Sequence, residues 1–399
     1  MISIQDKTKC CGCGACVAVC THKAIALKED EHGFLYPEVD KTLCVDCGLC
    51  DVVCAFGSDK PVENSETQEC YAVKNKNIDQ LKKSASGGAF SALAQWTFDH
   101  GGSVFGAAWN DNMMPVHIGI HSSEDLPQLQ GSKYVQSQSH SCFYSVKSEL
   151  QKGKNVLFCG TPCQCAGLRH FLRKDYANLI CVELICHGVP SASFLRSYLD
   201  LIEKKVKGKI IDLKFRDKKR GWGALLHATY KKGNGVKHLY LSTGESYYYY
   251  YYYYYWGGNL YRSSCYNCKY ATIHRESDFT IGDYWGIESM HPGFDKTLGV
   301  SVLLANTSKA KDIVKRLSDY LDILPSSVEF AKRQNGQLVS PSRQTTSSDV
   351  IWDIYKKEGA EGLENYYRKT NRKVILKSKI KRNIPLWLKK SIKSILSKR

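Results

Sequence analysis

The sequence lacks two features that secreted and membrane-spanning proteins need. Its first residues, MISIQDKTKC, contain no apolar stretch typical of a signal peptide, so we expect its thiols to meet a reducing cytoplasm. Its apolar runs, such as VLF and LICVELIC, are far too short to cross a bilayer. These absences predict a cytoplasmic protein, soluble or peripheral, whose 399 residues form two or three domains.

Acidic residues are missing from the C-terminal tail, residues 368–399. Thirteen Lys or Arg residues lie there, so of the formal net charge of +17 only about +4 belongs to the rest of the chain. This distribution argues against a nucleic-acid-binding face and predicts no nucleic-acid partner. The rival hypothesis, a nucleic-acid-binding protein with structural clusters, requires binding that survives deletion of the tail.

The end of the tail, NIPLWLKKSIKSILSKR, has apolar residues at helical spacing and lysines opposite them, and Pro385 suits a first helical turn. This pattern favours a helix lying on the inner face of an anionic membrane. The alternative is a terminal helix packed on the core. The apolar positions are Ile384, Trp387, Leu388, Ile392, Ile395 and Leu396.

The 18 cysteines are too few for a disulfide scaffold and occur in clusters. Two runs near the start follow C-x2-C-x2-C-x3-C, a spacing that presents three thiolates to one 4Fe–4S cluster and takes the fourth from the other run. The prolines usual after the fourth cysteine are absent, since Thr21 and Ala55 stand there. Two zinc knuckles are the weaker alternative. The predicted ligands are Cys10, Cys13, Cys16 and Cys54 for cluster 1, and Cys44, Cys47, Cys50 and Cys20 for cluster 2, with Cys11 a bystander.

Composition and periodicity divide the chain into four parts. Residues 1–60 form the cysteine-rich block, predicted to be an α+β ferredoxin-like domain, and 61–70 form a polar linker. Strands and helices alternate over 71–320, which predicts an α/β domain with a largely parallel sheet, in two halves that divide near 145–150. Residues 321–399 are predicted to be a helical extension with the basic tail.

Nine consecutive tyrosines occupy residues 247–255. A homopolymer has no periodicity, and tyrosine favours strands, so we expect an aromatic-lined strand or loop.

Four of the ten remaining cysteines have positions that suggest chemistry. Cys163 lies in a loop after the strand VLFCG, and Cys186 ends the strand LICVELIC, so both are expected at the carboxyl edge of the sheet. Cys265 and Cys268 form a C-x2-C pair. Together the four predict a site with four thiolate ligands, which on spacing alone suits zinc equally well.

Six motifs resemble the family of coenzyme F-420 hydrogenase/dehydrogenase beta subunits, over residues 71 to about 320, with a 2x(4Fe–4S) ferredoxin-type domain fused in front. They are SASGGAFSAL, GSKYVQS, VLFCGTPCQCAGLRHFL, CHGVPS, SCYNCKYA and DFTIGDYWG. The resemblance implies an FAD on the α/β domain and a third 4Fe–4S cluster beside it, with Cys163, Cys186, Cys265 and Cys268 as ligands. Similar proteins include deazaflavin oxidoreductase subunits, a chlorophyll-type reductase and proteins encoded with surface-polysaccharide genes.

The sequence has no G-x-G-x-x-G after a strand, so a Rossmann dinucleotide site has no support. Glycine and serine before a predicted helix offer backbone N–H groups to a diphosphate, and a nearby lysine adds a cation. The predicted cofactor-binding residues are Ser86, Gly87, Gly88, Gly131, Ser132, Lys133, Tyr134, Gly160 and Thr161.

These features and the resemblance predict an iron–sulfur flavoprotein oxidoreductase that passes electrons between its clusters and an FAD acting on an organic substrate. Surface-polysaccharide biosynthesis is one pathway in which such a reaction is expected. Its redox partner would be a ferredoxin, a deazaflavin or another reductant. The alternative is an electron-transfer subunit that serves a partner enzyme. His187, beside Cys186, is the candidate proton donor, whereas Arg275 and Asp278 also fit a structural ion pair.

Overall fold

The computed structural model describes residues 2–57, 68–253 and 258–384. Of the predicted linker 61–70, only the last three residues fall within these ranges. The predicted membrane-surface helix lies outside them apart from Asn383 and Ile384. Within the described ranges, no helix has the length and apolar character needed to cross a membrane.

The N-terminal segment uses the same local structure twice. Gly14 and Gly48, each between the second and third cysteine of a run, have φ of +75° and +70° and directly precede a short helix. Glycine adopts this left-handed conformation without steric cost, so the chain reverses between successive cysteines. Between the two helices lies an antiparallel hairpin. The elements are α1 (Ala15–Val19), β1 (Ile25–Glu29), β2 (Leu35–Val39) and α2 (Leu49–Val52).

An eight-stranded mixed sheet forms the centre of the α/β domain, in the order β13-β3-β12-β11-β7-β6-β4-β5. Its neighbours β11, β7, β6 and β4 are parallel, whereas the pairs toward both edges are antiparallel. The strands are β3 (Glu69–Asn75), β4 (Ser103–Trp109), β5 (Pro115–Ile120), β6 (Val156–Gly160), β7 (Leu179–Leu184), β11 (Phe279–Asp283), β12 (Ser301–Ala305) and β13 (Leu321–Ser326). The α/β class is therefore observed, with a mixed rather than a largely parallel sheet.

Helices cover the sheet and extend beyond it. They are α3 (Ile78–Lys83), α4 (Ala89–Asp99), α5 (Phe143–Gln151), α6 (Pro162–Leu172), α7 (Ala192–Val206), α8 (Tyr247–Tyr253), α9 (Ile287–Met290), α10 (Ser308–Val314), α11 (Val328–Gln334), α12 (Ser348–Thr370) and α13 (Arg372–Asn383). A second, three-stranded antiparallel sheet has the order β10-β9-β8, from β8 (Lys209–Lys214), β9 (Leu225–Lys232) and β10 (Gly235–Ser242).

Two expectations about local structure differ from the structure. The tyrosine run begins as a helix, α8, not as a strand or loop; Tyr247, Tyr248 and Tyr249 are fully buried, so tertiary packing overrides strand propensity. Cys163 lies in the first turn of α6, not in a loop, because Pro162 suits that turn and Thr161 forms a capping box with Gln164.

The boundary predicted at residue 320 separates an edge strand from its sheet. β13, which follows that boundary, pairs with β3 at the start of the domain. The halves that were expected to divide near 145–150 also share the sheet, since β4 pairs with β6 across that point. The α/β unit therefore extends to Ser326.

The described part of the basic tail packs on the protein. Arg382 of α13 pairs with Glu245 at 2.8 Å and donates to the carbonyl of Tyr240 at 3.0 Å. Leu376 and Ile380 are exposed on the same helix. The tail is thus a helix packed on the protein up to Asn383, whereas the segment 383–399, to which the two alternatives apply, lies outside the described residues apart from Asn383 and Ile384.

The N-terminal segment shares a hydrophobic core with the α/β domain. Ala15 and Val19 of α1 belong to one buried cluster with Phe143 and Leu168. At the contact point Gly167 of α6 leaves space for a cysteine, since a Cβ there would lie 2.8 Å from the Cβ of Cys13. This close approach brings the cysteine loops directly against α6.

We expect Gly167→Ala to lower the free energy of unfolding by about 1–3 kcal/mol, because the added methyl group overlaps Cys13 in a packed interface. Thermal unfolding of the anaerobically purified protein measures this. Gly293→Ala is the matched control, since nothing lies within 4 Å of its added Cβ. An unchanged unfolding midpoint in Gly167→Ala would contradict this tight interface.

Candidate functional site

A cavity of about 280 Å³ lies over the carboxyl ends of the parallel strands. This size is close to the lower end of the roughly 300–1,000 Å³ of small-molecule sites. Residues after β6, β7 and β11 line it, as expected for ligand sites of open α/β sheets. Of the predicted site residues, it is lined by Ser86, Gly88, Gly131, Ser132, Lys133, Tyr134, Gly160, Thr161, Cys163, Cys186, His187, Cys265 and Cys268.

Four thiols converge at one side of this cavity. Cys163 comes from α6 and Cys186 from the chain after β7, whereas Cys265 lies in the 3-10 helix Ser263–Asn267 and Cys268 directly follows it. Burial raises the pKa of Cys265 and of Cys268 to about 12, and the nearby Cys163 adds to both shifts. Burial, then the neighbouring Cys265, also raises the pKa of Cys186. The thiols thus lie close enough for their charges to interact, as the ligands of one metal group do.

Among the described residues, no three cysteine sulfurs lie within 4.8 Å of one another. Zn–S bonds of about 2.3 Å would place two thiolates of a tetrahedral site about 3.8 Å apart. The described cysteines therefore form no zinc site of three or more thiols in this arrangement. In a 4Fe–4S cluster each thiolate binds a different iron, so the sulfur spacing is wider.

In the N-terminal segment the structure brings Cys54 of the second run close to the first. Burial raises the pKa of Cys16, and the charges of Cys13, Cys10 and Cys54 add to the shift. Cys50 and Cys20 pack in one buried cluster with Ile2 and Ile25. Cys47 is exposed, and beside it Leu43 and Val45 are 51% and 58% exposed. The set with Cys47 therefore faces solvent, whereas the set with Cys10 faces the α/β domain.

Cys11, which was predicted to be a bystander, lies between two of the cysteine sets. Its thiol contacts both Cys13 and Cys163, and hydrogen bonding from Cys11 lowers the pKa of each of these partners. It also lines the cavity, and its backbone carbonyl accepts from Gln136 at 2.9 Å. No spacing rule identifies this residue, because its contacts arise only when the segment packs on α6.

Another part of the cavity wall, at the start of α4, offers donors to an anion. This helix has 11 residues, and the unpaired N–H groups at such an end favour negative charge. Lys133 lies beside them and donates only to the carbonyls of Gln130, at 3.2 Å, and Gly131, at 3.4 Å. Burial lowers its pKa to about 8. Within the described chain Lys133 forms no ion pair, so its charge is available to a ligand.

Gly87 differs from the other predicted cofactor residues because it faces the sheet. A Cβ there would collide with the backbone of Ser301 and Val73. Its role is to let the loop before α4 pass close to β3 and β12. Lys218 fastens the same loop by donating to the carbonyls of Leu81 and Ser86, both at 2.6 Å.

A polar group that no sequence motif points to forms part of the wall. Arg216 makes a bidentate pair with Asp283, at 2.8 and 3.2 Å, and donates to the hydroxyl of Tyr134 at 3.0 Å. Trp222 donates to Asp283 at 3.0 Å and stacks on Trp285. Asp283 and Trp285 belong to the motif DFTIGDYWG and could have been predicted as site residues from it, whereas no motif in the sequence identifies Arg216.

His187 lines the cavity beside the four thiols. Burial lowers its pKa, and Asp283 opposes part of that shift. The imidazole is therefore neutral near pH 7, which weighs against its predicted use as a proton donor.

Arg275 and Asp278 do not pair with each other. Arg275 pairs with Glu183 at 3.1 Å, both side chains being only 2% exposed. Asp278 pairs with Lys309 at 3.0 Å and Arg169 at 3.3 Å and accepts from the Cys181 N–H. These are structural ion pairs that hold α6 and the segment after Cys268 against the sheet.

Two segments of the chain match known protein families. Residues 153–327 match the family described as the C-terminal part of the beta subunit of coenzyme F420 hydrogenase/dehydrogenase, and residues 9–58 match a "4Fe-4S dicluster domain". Residues 153–327 are therefore similar to this family of beta subunits. The predicted resemblance is confirmed, and the matched region follows a segment similar to an iron–sulfur dicluster domain in the same chain.

A curated relative is the F subunit of the F(420)H(2) dehydrogenase of Methanosarcina mazei, 26% identical over 198 residues. The match covers 45% of this chain and 55% of the relative, so the chain spans about half the relative's length. A solved structure, the F420-reducing [NiFe] hydrogenase complex of Methanosarcina barkeri, aligns at 14% identity with a TM-score of 0.45, covering 74% of this chain and 95% of that one.

The buried Arg275–Glu183 pair predicts a sharp difference between single and double substitution. Arg275→Met should lower the free energy of unfolding by about 3–5 kcal/mol, because it leaves the Glu183 carboxylate buried without its cation. Arg275→Met with Glu183→Met should recover part of that loss. Thermal unfolding of both variants is the measurement, and a double variant less stable than the single one would contradict it.

Proposed function

We propose that the chain is an iron–sulfur electron-transfer subunit, with an FAD in the cavity and three 4Fe–4S clusters leading away from it. The observation that carries the proposal is the continuous series of thiols from the exposed Cys47 to the cavity. It runs through the buried set around Cys10, past Cys11, to Cys163 and its three neighbours.

The proposed ligand sets follow this series. They are Cys44, Cys47, Cys50 and Cys20 at the surface, Cys10, Cys13, Cys16 and Cys54 in the interior, and Cys163, Cys186, Cys265 and Cys268 at the cavity. The match of residues 9–58 to a 4Fe-4S dicluster domain supports clusters in the first two places. Clusters of this kind carry single electrons and accept thiolate ligands in such runs.

The lining of the cavity supports a flat, anionic cofactor. The first turn of α4 and Lys133 would hold its diphosphate, and Trp285 and Tyr134 would supply aromatic surface to its rings. When bound, a flavin exchanges a hydride with an organic molecule and single electrons with clusters. The four thiols lie at one side of the cavity, so electrons would leave the cofactor through them.

The relative's name supports a reduced deazaflavin of the F420 type as the proposed hydride donor at the cavity. A protein electron carrier is the proposed partner at the Cys47 face, where exposed Leu43 and Val45 offer it an apolar surface. The match to a dehydrogenase subunit favours an electron-transfer subunit over an enzyme that converts an organic substrate of its own. A reaction in surface-polysaccharide biosynthesis and membrane contact through the tail both stay predictions.

Iron, sulfide and flavin per chain after anaerobic purification test the proposal. We expect about 12 iron atoms and one FAD, because three clusters hold four irons each. Cys265→Ala with Cys268→Ala should reduce the iron to about 8. A control that removes two buried cysteines elsewhere, Cys70→Ala with Cys142→Ala, should keep about 12.

About 8 iron atoms in every variant, with no flavin, would overturn the third cluster and the flavin together. A chain that holds flavin and reduces a protein acceptor, but converts no organic substrate other than a deazaflavin, would support the electron-transfer function.

Lys133 gives the cofactor affinity a predicted pH dependence. The unliganded lysine has its pKa lowered to about 8, and an anion binds its protonated form. Above pH 8 binding must therefore take up a proton, so FAD affinity of the apoprotein should fall as the pH rises. Lys133→Met should bind FAD about tenfold or more weakly at pH 7, the loss of one charge-assisted hydrogen bond, and should lose the pH dependence.

Fluorescence titration of the apoprotein with FAD between pH 6 and 9 measures both effects. Lys152→Met, which removes a surface lysine that pairs with Glu149, is the control. Identical pH profiles for Lys133→Met and the unmodified protein would disprove the role of Lys133.

A further inference from the structure

Arg262 has an unusual environment for a guanidinium group. It is fully buried, and it lies between the N-terminal cysteine loops and the cavity. Its Nη2 donates to the Sγ of Cys10 at 3.4 Å and to the carbonyl of Leu35 at 2.9 Å, and its Nε donates to the carbonyl of Cys10 at 2.6 Å. Its guanidinium also stacks over the ring of Tyr36, 4.0 Å from the centroid.

The charge of Arg262 has no carboxylate to balance it in the described part of the chain. Its remaining partner is the neutral Gln136 amide, at 3.2 Å. An isolated charge costs several kcal/mol to bury, so a buried cation is normally found with an anion. The candidate anion beside it is the thiolate set of Cys10, which would carry negative charge when it holds a cluster.

We propose that Arg262 raises the reduction potential of the interior cluster, held by Cys10, Cys13, Cys16 and Cys54, and so keeps it reducible in a buried site. This inference rests on the cluster assignment of the proposed function. It adds a positioning residue for the electron path that lies outside the motifs.

The physical reason is the charge change on reduction. A cluster gains one negative charge, and burial in a low-dielectric interior makes that gain costly. A fixed cation that donates a hydrogen bond to a ligand sulfur stabilises the reduced form, and charge and hydrogen bonds to sulfur are established controls of cluster potential. Arginine suits this task because it stays protonated.

The surface set, Cys44, Cys47, Cys50 and Cys20, differs from the interior set in the groups that donate hydrogen bonds to its sulfurs. Its sulfurs accept from neutral backbone N–H groups, Ile2 to Cys50 and Ala24 to Cys20, both at 3.3 Å. No Lys or Arg hydrogen bond to these sulfurs is present within the described chain, and Cys47 is open to water. At the surface set, water can stabilise the negative charge that a cluster gains on reduction, whereas in the interior the guanidinium of Arg262 does so.

The local backbone geometry holds Arg262 in contact with Cys10. The Cys265 N–H donates to the Arg262 carbonyl at 2.8 Å, so the same turn carries the guanidinium and a cavity thiol. Gly12, in the loop between Cys10 and Cys13, leaves space for it, since a Cβ there would lie 2.8 Å from its Nη1. The arginine thus contacts one cysteine set while its backbone positions the next.

Arg262→Gln and Arg262→Lys test the proposal in an anaerobic redox titration of the full chain, followed by electron paramagnetic resonance, with iron counted in parallel. In Arg262→Gln we expect one cluster to become at least tenfold harder to reduce, a downward shift of at least about 59 mV for one electron, with iron retained. Arg262→Lys, which keeps the charge, should recover part of the shift.

Arg196→Gln is the charge-matched control, because that arginine pairs with Asp200 and Glu203 on α7. Unchanged potentials in Arg262→Gln with full iron would refute the proposal. Loss of about four irons in both Arg262 variants would also refute it, by assigning the residue a structural role. The iron content of the unmodified protein separates either result from failure of the cluster assignment itself.

Discussion

The close packing of the N-terminal cysteine loops against α6 is the contact on which the rest of the structure depends. Gly167 and Gly12 remove the side chains that would hold the two parts apart, and Cys11 then lies between Cys13 and Cys163. Electron transfer needs short distances between redox groups. An insertion of even one methyl group at this interface would separate thiols that otherwise touch, so the tight fit serves stability and the proposed electron path together.

The sheet supplies the other half of the arrangement. Because β6, β7 and β11 are parallel, their carboxyl ends meet at one edge, and the residues after them form the cavity wall. Buried ion pairs, such as Asp278 with Lys309, hold this wall in place from behind. The cavity is thus polar where Lys133 and the start of α4 face it and rich in sulfur where the four cavity thiols meet. That arrangement suits a cofactor with an anionic tail and a redox-active ring.

Much of the site was readable from local sequence because its chemistry is local. The doubled C-x2-C-x2-C-x3-C spacing identifies thiolates presented by one tight turn, and Gly14 and Gly48 provide that turn in the structure. The strand-then-cysteine pattern likewise placed Cys163 and Cys186 at one sheet edge. The α/β class could be predicted from the alternation of strands and helices. The antiparallel pairs at the sheet edges could not be predicted, because they produce no comparable pattern in the sequence. The tyrosine run was misjudged because its helix is stabilised by burial, which a homopolymer cannot reveal.

What the sequence by itself determined is the set of thiols, the α/β class and the family resemblance, all properties of short motifs. What only the tertiary structure decided is which groups meet across the chain. Arg262 reaches Cys10 from 252 residues away, and Arg216 reaches Asp283 from 67. Such contacts depend on how separate elements pack, and no spacing rule encodes them. The physical reason is that buried charges select partners by proximity in the fold, whereas motifs record only neighbours along the chain.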